Sequence, residues 1–338
     1  MVTTPPAEPP LSPLRDRLWA ALRLALTAGI LAGLIYKLSP GEIARTAGDA
    51  RPWALVAAAL LMAPVQLLVL AKWRWLTRAR GIRLSASSLT RIYFQANVVT
   101  TVLPTAIGGD VFRIYRVARQ SGSGVADVTM TVVFERATGY GAMASLGLIG
   151  AAFYFGGVAI GAAAVIALAL AAIAAVLIAA RVPFNRLPFL AQLRRVVRDR
   201  MELQLLVSMT LFSVVIQALF ISCAALIGVA FRVDVSWPYW AFAVAVVAAV
   251  TLVPVSLGGL GVRESGFAAL LSSQNAPATA GASVGFALGL LVTLVSLAVL
   301  GALEAAAFAR RLRVRSGVAL ATAGLAPVGE ETGAARDG

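Results

Sequence analysis

Apolar residues along this chain come in blocks of about 20, the length of helix that crosses a bilayer. Most of the charge collects in the short stretches between them. The pattern predicts six full spans, near 18–37, 53–71, 138–156, 158–180, 203–231 and 280–308. Two further apolar stretches, 88–104 and 238–256, each run into a proline followed by paired glycines. Both residue types break helices, so each stretch is read as one arm of a hairpin that enters the membrane and turns back. The expected fold is an all-α integral membrane protein with six full spans plus two re-entrant broken hairpins. Two extra paired crossings satisfy the pattern equally, because a hairpin and a pair of crossings both return the chain to its starting side.

The two breaks share a motif. Residues 101–113 read TVLPTAIGGDVFR and residues 251–263 read TLVPVSLGGLGVR, so T-x2-P-x3-G-G-x3-R occurs twice at an offset of 150 residues. The same offset carries span 53–71 onto the start of 203–231, and 138–156 into 280–308. Each half then holds three full crossings and one broken hairpin. An odd number of crossings puts the second half upside down relative to the first, which is an inverted-topology repeat. The halves are residues 15–157 and 158–315. The Pro-rich segment 1–14 and the polar tail 316–338 are expected to be disordered.

Composition sharpens this picture. Of 338 residues, 60% are hydrophobic and 13% charged, against about 25% charged in an ordinary soluble chain. The net charge of +14 is not spread as a basic groove with interleaved aromatics, so no nucleic-acid partner is expected. The basic residues cluster beside the spans, in 72–91, 181–200 and 310–315. By the positive-inside rule these segments and both termini are cytoplasmic, and the nearly neutral connections 38–52, 232–236 and 272–279 lie outside. Trp53, Trp73, Trp75, Trp237 and Trp240 fall near span ends and read as interfacial anchors. The run 18–36 exceeds the roughly 7–15 residues of a signal-peptide core and is read as an uncleaved span.

The chain has no histidine and a single cysteine, Cys223. That excludes His-containing catalytic triads and His proton relays, and leaves no zinc-ligand set. Neither lysine, Lys37 nor Lys72, is followed by Ser or Thr, so there is no Walker A loop. No cofactor, no metal and no enzymatic activity are expected.

What remains is the chemistry of the breaks. A Pro-then-Gly-Gly interruption frees backbone N–H groups at the start of the next half-helix, which attract anions. In each copy an arginine follows, Arg113 or Arg263, whose guanidinium matches phosphate oxygens as a fork. Two inverted copies could bring both arginines to one phosphate-sized site; alternatively each Arg only pairs with a neighbouring acid, Asp110 or Glu264, and the glycines only pack. Gln95, Asn97, Thr100 and Thr101 could line a polar groove or satisfy the broken backbone. Gln66 and Gln217 are expected to bond neighbouring helices. Glu135 and Arg136 are expected to form an interfacial pair, and Glu304 to pair with the arginines beyond the last span. Arginine at membrane depth is costly without a role or a partner.

The string ANVVTTVLPTAIGGDVFRIYRVAR, with its Asn, Leu-Pro, Gly-rich turn, acid and Arg, resembles the first signature of the lysylphosphatidylglycerol synthase transmembrane-region family, also called flippase-like domain proteins. The string LVPVSLGGLGVRESGFAALL resembles the second. The resemblance covers about residues 18–310. It implies a bacterial inner-membrane protein that moves a phospholipid or polyprenyl-phosphate lipid between leaflets. It also implies a lipid path formed by Asn97, Pro104, Gly108, Gly109, Asp110 and Arg113 in one half and by Pro254, Gly258, Gly259, Gly261, Arg263 and Glu264 in the other. Family members that make lysylated lipid continue into a large soluble domain. This chain ends soon after its last span, so synthase activity is expected to be absent. Other roles compatible with the sequence are a non-transporting membrane partner of a glycosyl- or aminoacyl-transferase and a small-anion secondary transporter.

Overall fold

The computed structural model describes residues 45–46, 48–102, 108–181, 200–252 and 259–322. Residues 316–322, expected to be disordered, instead continue the last helix; the expected span 18–37, the segment 1–14, residues 323–338 of the tail, and Pro104, Pro254 and Gly258 of the two breaks lie outside the described residues. Within them the chain is all-helical: α1 Pro52–Ala79, α2 Ala86–Val102, α3 Gly108–Ser121, α4 Val125–Arg181, α5 Arg200–Ala230, α6 Trp237–Thr251, α7 Val262–Ser272 and α8 Ala278–Thr322. Among the described residues, α1, α4, α5 and α8 each contain a segment long and apolar enough to cross a membrane.

Local sequence explains the boundaries. Proline stands in the first turn of α1 (Pro52) and of α6 (Pro238), where its missing N–H has no helical partner to lose. Within α4, two helical stretches meet at a kink at Gly157, between the expected spans 138–156 and 158–180; its φ of 75° and ψ of −173° suit a residue without a Cβ. At 17, 14, 15 and 11 residues, α2, α3, α6 and α7 all fall short of the roughly 20 needed to span. They pack as two pairs, α2 on α3 and α6 on α7.

The long helices run antiparallel. Arg51 N–H at the start of α1 donates to Ala230 O at the end of α5 (2.9 Å), while Arg80 past the far end of α1 meets Glu202 at the start of α5 (2.8 Å). Likewise α2 lies against α8 through Arg91–Glu304, Asn97–Ser296 and Thr101–Thr293, one chain number rising as the other falls. Glycines set close approaches: Gly147 and Gly150 of α4 face Ala245, Ala241 and Pro238 of α6, and Gly281 and Gly285 of α8 face the backbone of α7. Small residues at such crossings let helices pack without a hydrophobic drive in lipid.

Two apolar clusters form the interior. The larger joins α1, α5, α6, α7 and α8 around Met62, Ile221, Trp240, Phe267 and Val284. The smaller joins α1, α2, α3 and α4 around Trp73, Leu89, Phe94, Val117 and Val128. Trp73 and Trp240 are fully buried and are not the interfacial anchors their positions suggested; tertiary packing has claimed them. Trp53, Trp75 and Trp237 are exposed, as interfacial anchors would be. Exposed Leu60, Leu148, Phe155 and Val158 give the bundle the apolar outside that a bilayer solvates.

Candidate functional site

Between the two apolar clusters lies a polar cavity of about 320 Å³, lined from α1, α2, α3, α4, α5, α6 and α8. Its centre is Arg113. α3 begins at Gly108, with Gly109 pressed against Ala96 O and Thr100 of α2. A Cβ there has no room, so α3 lies tight on α2 and its next turn carries Asp110 and Arg113 inward. Arg113 is 3% exposed. Its Nη1 lies 2.6 Å from Glu135 Oε2, its Nη2 lies 3.0 Å from Asp110 Oδ1, and its guanidinium covers the Trp73 ring at 5.2 Å. The two ion pairs have short distances but not the alignment of hydrogen bonds. Among the described residues, Arg113 Nε and Nη2 and Glu135 Oε2 have no hydrogen-bond partner.

Glu135 and Arg136 do not pair with each other. Successive residues on a helix point to different faces, and here Glu135 turns to Arg113 while Arg136 forks Asp110 with Nε and Nη2, both at 2.9 Å. Lys72 joins the same group. The sequence placed it in a cytoplasmic basic segment, but α1 continues to Ala79 and holds Lys72 inside the bundle, 3% exposed. Its ammonium donates to Glu135 O (3.1 Å), Thr138 Oγ1 (2.9 Å) and Ser213 Oγ (2.6 Å), which uses all three N–H groups. The signal that could have found it is the acid at position 135 inside an apolar run, because a buried carboxylate needs a counter-charge.

Neutral groups complete the lining. Tyr93 donates its hydroxyl to Gln66 Oε1 (2.9 Å), and Gln217 Nε2 donates to Gly139 O (3.3 Å), so both mid-span glutamines bond neighbouring helices as expected. Asn97 Nδ2 donates to Ser296 Oγ on α8 (3.2 Å), and Thr101 and Thr293 hydroxyls meet at 3.3 Å. Gln95 Oε1 is buried without a partner among the described residues. Glu304 pairs with Arg91 of α2 at 3.2 Å; the side chains of the arginines beyond the last span lie outside the described residues.

Of the residues expected at the site, Asn97, Gly109, Asp110 and Arg113 line the cavity, and buried Gly108 sits directly before them. Gly259, Gly261, Arg263 and Glu264 do not line it. In the second copy Gly259 and Gly261 take φ of 78° and 81°, and α7 starts only at Val262. Its first turn is capped from within: Gly261 N–H donates to Glu264 Oε2 (2.6 Å), and Glu264 Oε1 accepts from Arg263 Nη2 (2.8 Å). The guanidinium of Arg263 lies over Gly289 of α8. Both helix starts therefore carry their own carboxylate, Asp110 or Glu264. Of the arginines with a nitrogen that lacks a hydrogen-bond partner among the described residues, Arg113, Arg116 and Arg263, Arg113 is the one that lines the cavity.

The family model described as lysylphosphatidylglycerol synthase TM region matches residues 20–303. Among the curated proteins, none matches the chain significantly.

Proposed function

The chain belongs to the lysylphosphatidylglycerol synthase transmembrane-region family, and on that premise we propose that it is a lipid translocase, carrying a phospholipid or polyprenyl-phosphate headgroup between leaflets of the bacterial inner membrane. The carrying observation is the buried guanidinium of Arg113, ion-paired but with Nε and Nη2 making no aligned hydrogen bond among the described residues, inside a cavity of about 320 Å³. That volume is at the lower end of the range of about 300–1,000 Å³ typical of small-molecule sites. It suits a headgroup and not a whole lipid, so the acyl tails stay in the bilayer. A phosphate oxygen aligned with Nε and Nη2 would receive the fork that the carboxylate pairs do not complete.

A route through the molecule follows from an inverted-repeat reading. Shifted by 150 residues, α1, α2, α3 and α4 fall on α5, α6, α7 and α8. Exchanging the halves also maps each helix contact onto another: α4 on α6 answers to α8 on α2, and α3 on α4 to α7 on α8. The equivalent pair α1 and α5 is antiparallel, as an axis in the membrane plane requires. Two re-entrant hairpins, α2–α3 and α6–α7, then face the middle from opposite sides. Rocking of one half against the other opens the cavity alternately. With no nucleotide-binding motif in the sequence, transport is passive or ion-coupled. The arginine-rich end of the bundle, with both termini, faces the cytoplasm.

The test is transbilayer movement of headgroup-labelled phospholipid in proteoliposomes, with wild type beside Arg113→Ala. The expected result is at least a tenfold loss of rate in a variant that still folds. Equal rates in wild type, variant and protein-free vesicles would remove the reading.

A further inference from the structure

The charge balance of the cavity specifies the headgroup further, resting on the translocase reading above. We propose that the site selects a net-negative headgroup, a phosphodiester with a small neutral polyol, and rejects headgroups that carry an added ammonium group such as an aminoacyl ester. Three cationic side chains meet in the cavity, Lys72, Arg113 and Arg136, against two carboxylates, Asp110 and Glu135. The surplus is one positive charge, which one phosphodiester cancels. An added ammonium would need a carboxylate, and both already face cationic side chains. Asp110 holds the fork of Arg136 and the Nη2 of Arg113. Glu135 faces Arg113 at 2.6 Å.

The second half offers no replacement. At the offset of 150, the positions of Lys72, Asp110, Glu135 and Arg136 are held by Ser222, Leu260, Gly285 and Phe286. Glu264, the acid nearest the second break, is spent on the start of its own helix and on Arg263. An ammonium entering the cavity therefore meets guanidinium and ammonium neighbours, and like charges repel more strongly at a buried site than in bulk water. Other polar lining groups, Gln66, Tyr93, Asn97 and Gln217 among them, are neutral and can bond polyol hydroxyls.

The experiment uses the full chain in two assays. In detergent, thermal stability is titrated with dioctanoyl phosphatidylglycerol, with its lysylated form and with free glycerol phosphate. In proteoliposomes, movement of the same two headgroups is timed. The expected result is stabilisation by phosphatidylglycerol at concentrations where the lysylated lipid has no effect, and at least tenfold faster movement. Arg136→Gln, which brings the balance to zero at a half-exposed position, should narrow that preference. A lysylated lipid that binds or moves as well as the anionic one overturns the proposal and leaves the translocase reading standing. Selective binding of phosphatidylglycerol with no movement of either lipid leaves the charge selectivity standing and removes the translocase. Equal stabilisation by glycerol phosphate and by the lipid keeps the anion site but assigns it to a soluble ligand. No response in either assay overturns both.

Discussion

At the scale of single residues, the cavity is held by a chain of alternating charges, and its members differ in how much they can lose. Glu135 is 7% exposed and faces Arg113, which is 3% exposed. Breaking a buried pair by removing one partner typically costs about 3–5 kcal/mol, because the other charge stays buried and uncompensated. Arg80 and Glu202 also pair at 2.8 Å, but with side chains 34% and 28% exposed, and surface pairs are worth roughly 0–1 kcal/mol. Glu135→Gln should therefore lower the thermal midpoint of the purified protein by several degrees, and Glu202→Gln should barely move it. Equal midpoints for the two variants would mean that the cavity is wet enough to screen its charges. Arg113 was legible in the sequence because a helix break at membrane depth carries a motif. Lys72 was not, because charge counting along a chain cannot tell that a helix continues past its apolar stretch. Glu135 and Arg136 were visible but assigned to each other, since adjacency in sequence suggests a pair that helix geometry forbids.

At the scale of elements, the seam between α7 and α8 carries the strictest packing requirement. Gly281, Gly285 and Gly289 recur every four residues on one face of α8. A Cβ on Gly281 would stand 2.7 Å from both Ala268 Cα and Phe267 O, and one on Gly285 would stand 2.9 Å from Glu264 Cα. These are backbone atoms that cannot turn aside, so α7 would have to move. Overpacking of this kind costs about 1–3 kcal/mol. Gly301 on the same helix has nothing within 4 Å, and alanine is the better helix former by up to about 1 kcal/mol. Gly281→Ala and Gly285→Ala should lower the thermal midpoint, while Gly301→Ala should leave it unchanged or raise it. A drop for Gly301→Ala as large as for Gly285→Ala would show that helix packing is not the cause. The positions of the helices were readable from apolar blocks and breakers, and Gly157 falls at the expected division between two spans. The burial of Trp73 and Trp240 was not, because an aromatic near a span end reads the same whether it faces lipid headgroups or a neighbouring helix.

At the scale of the whole molecule, the described helices correspond at an offset of 150 residues but their charges do not. The repeat reading was visible in the sequence because T-x2-P-x3-G-G-x3-R occurs twice. The charged group sits in one half alone, because its members come together from α1, α3 and α4, and only Arg113 has a charged counterpart, Arg263, at the offset of 150. The two arginines were expected at one site, and sequence could not separate them, since it is the environment of each that differs. Arg113 faces the cavity, whereas Arg263 is 19% exposed by its side chain, pairs with Glu264 and lies over Gly289 of α8. Arg263 thus bears on the start of α7 and on how α7 meets α8. Arg263→Ala should slow lipid movement while leaving the stabilisation by dioctanoyl phosphatidylglycerol at its wild-type level. Arg113→Ala should abolish both. Loss of the stabilisation in Arg263→Ala would instead mean that the second hairpin reaches the headgroup, and that the two breaks share the site in the closed arrangement of the halves.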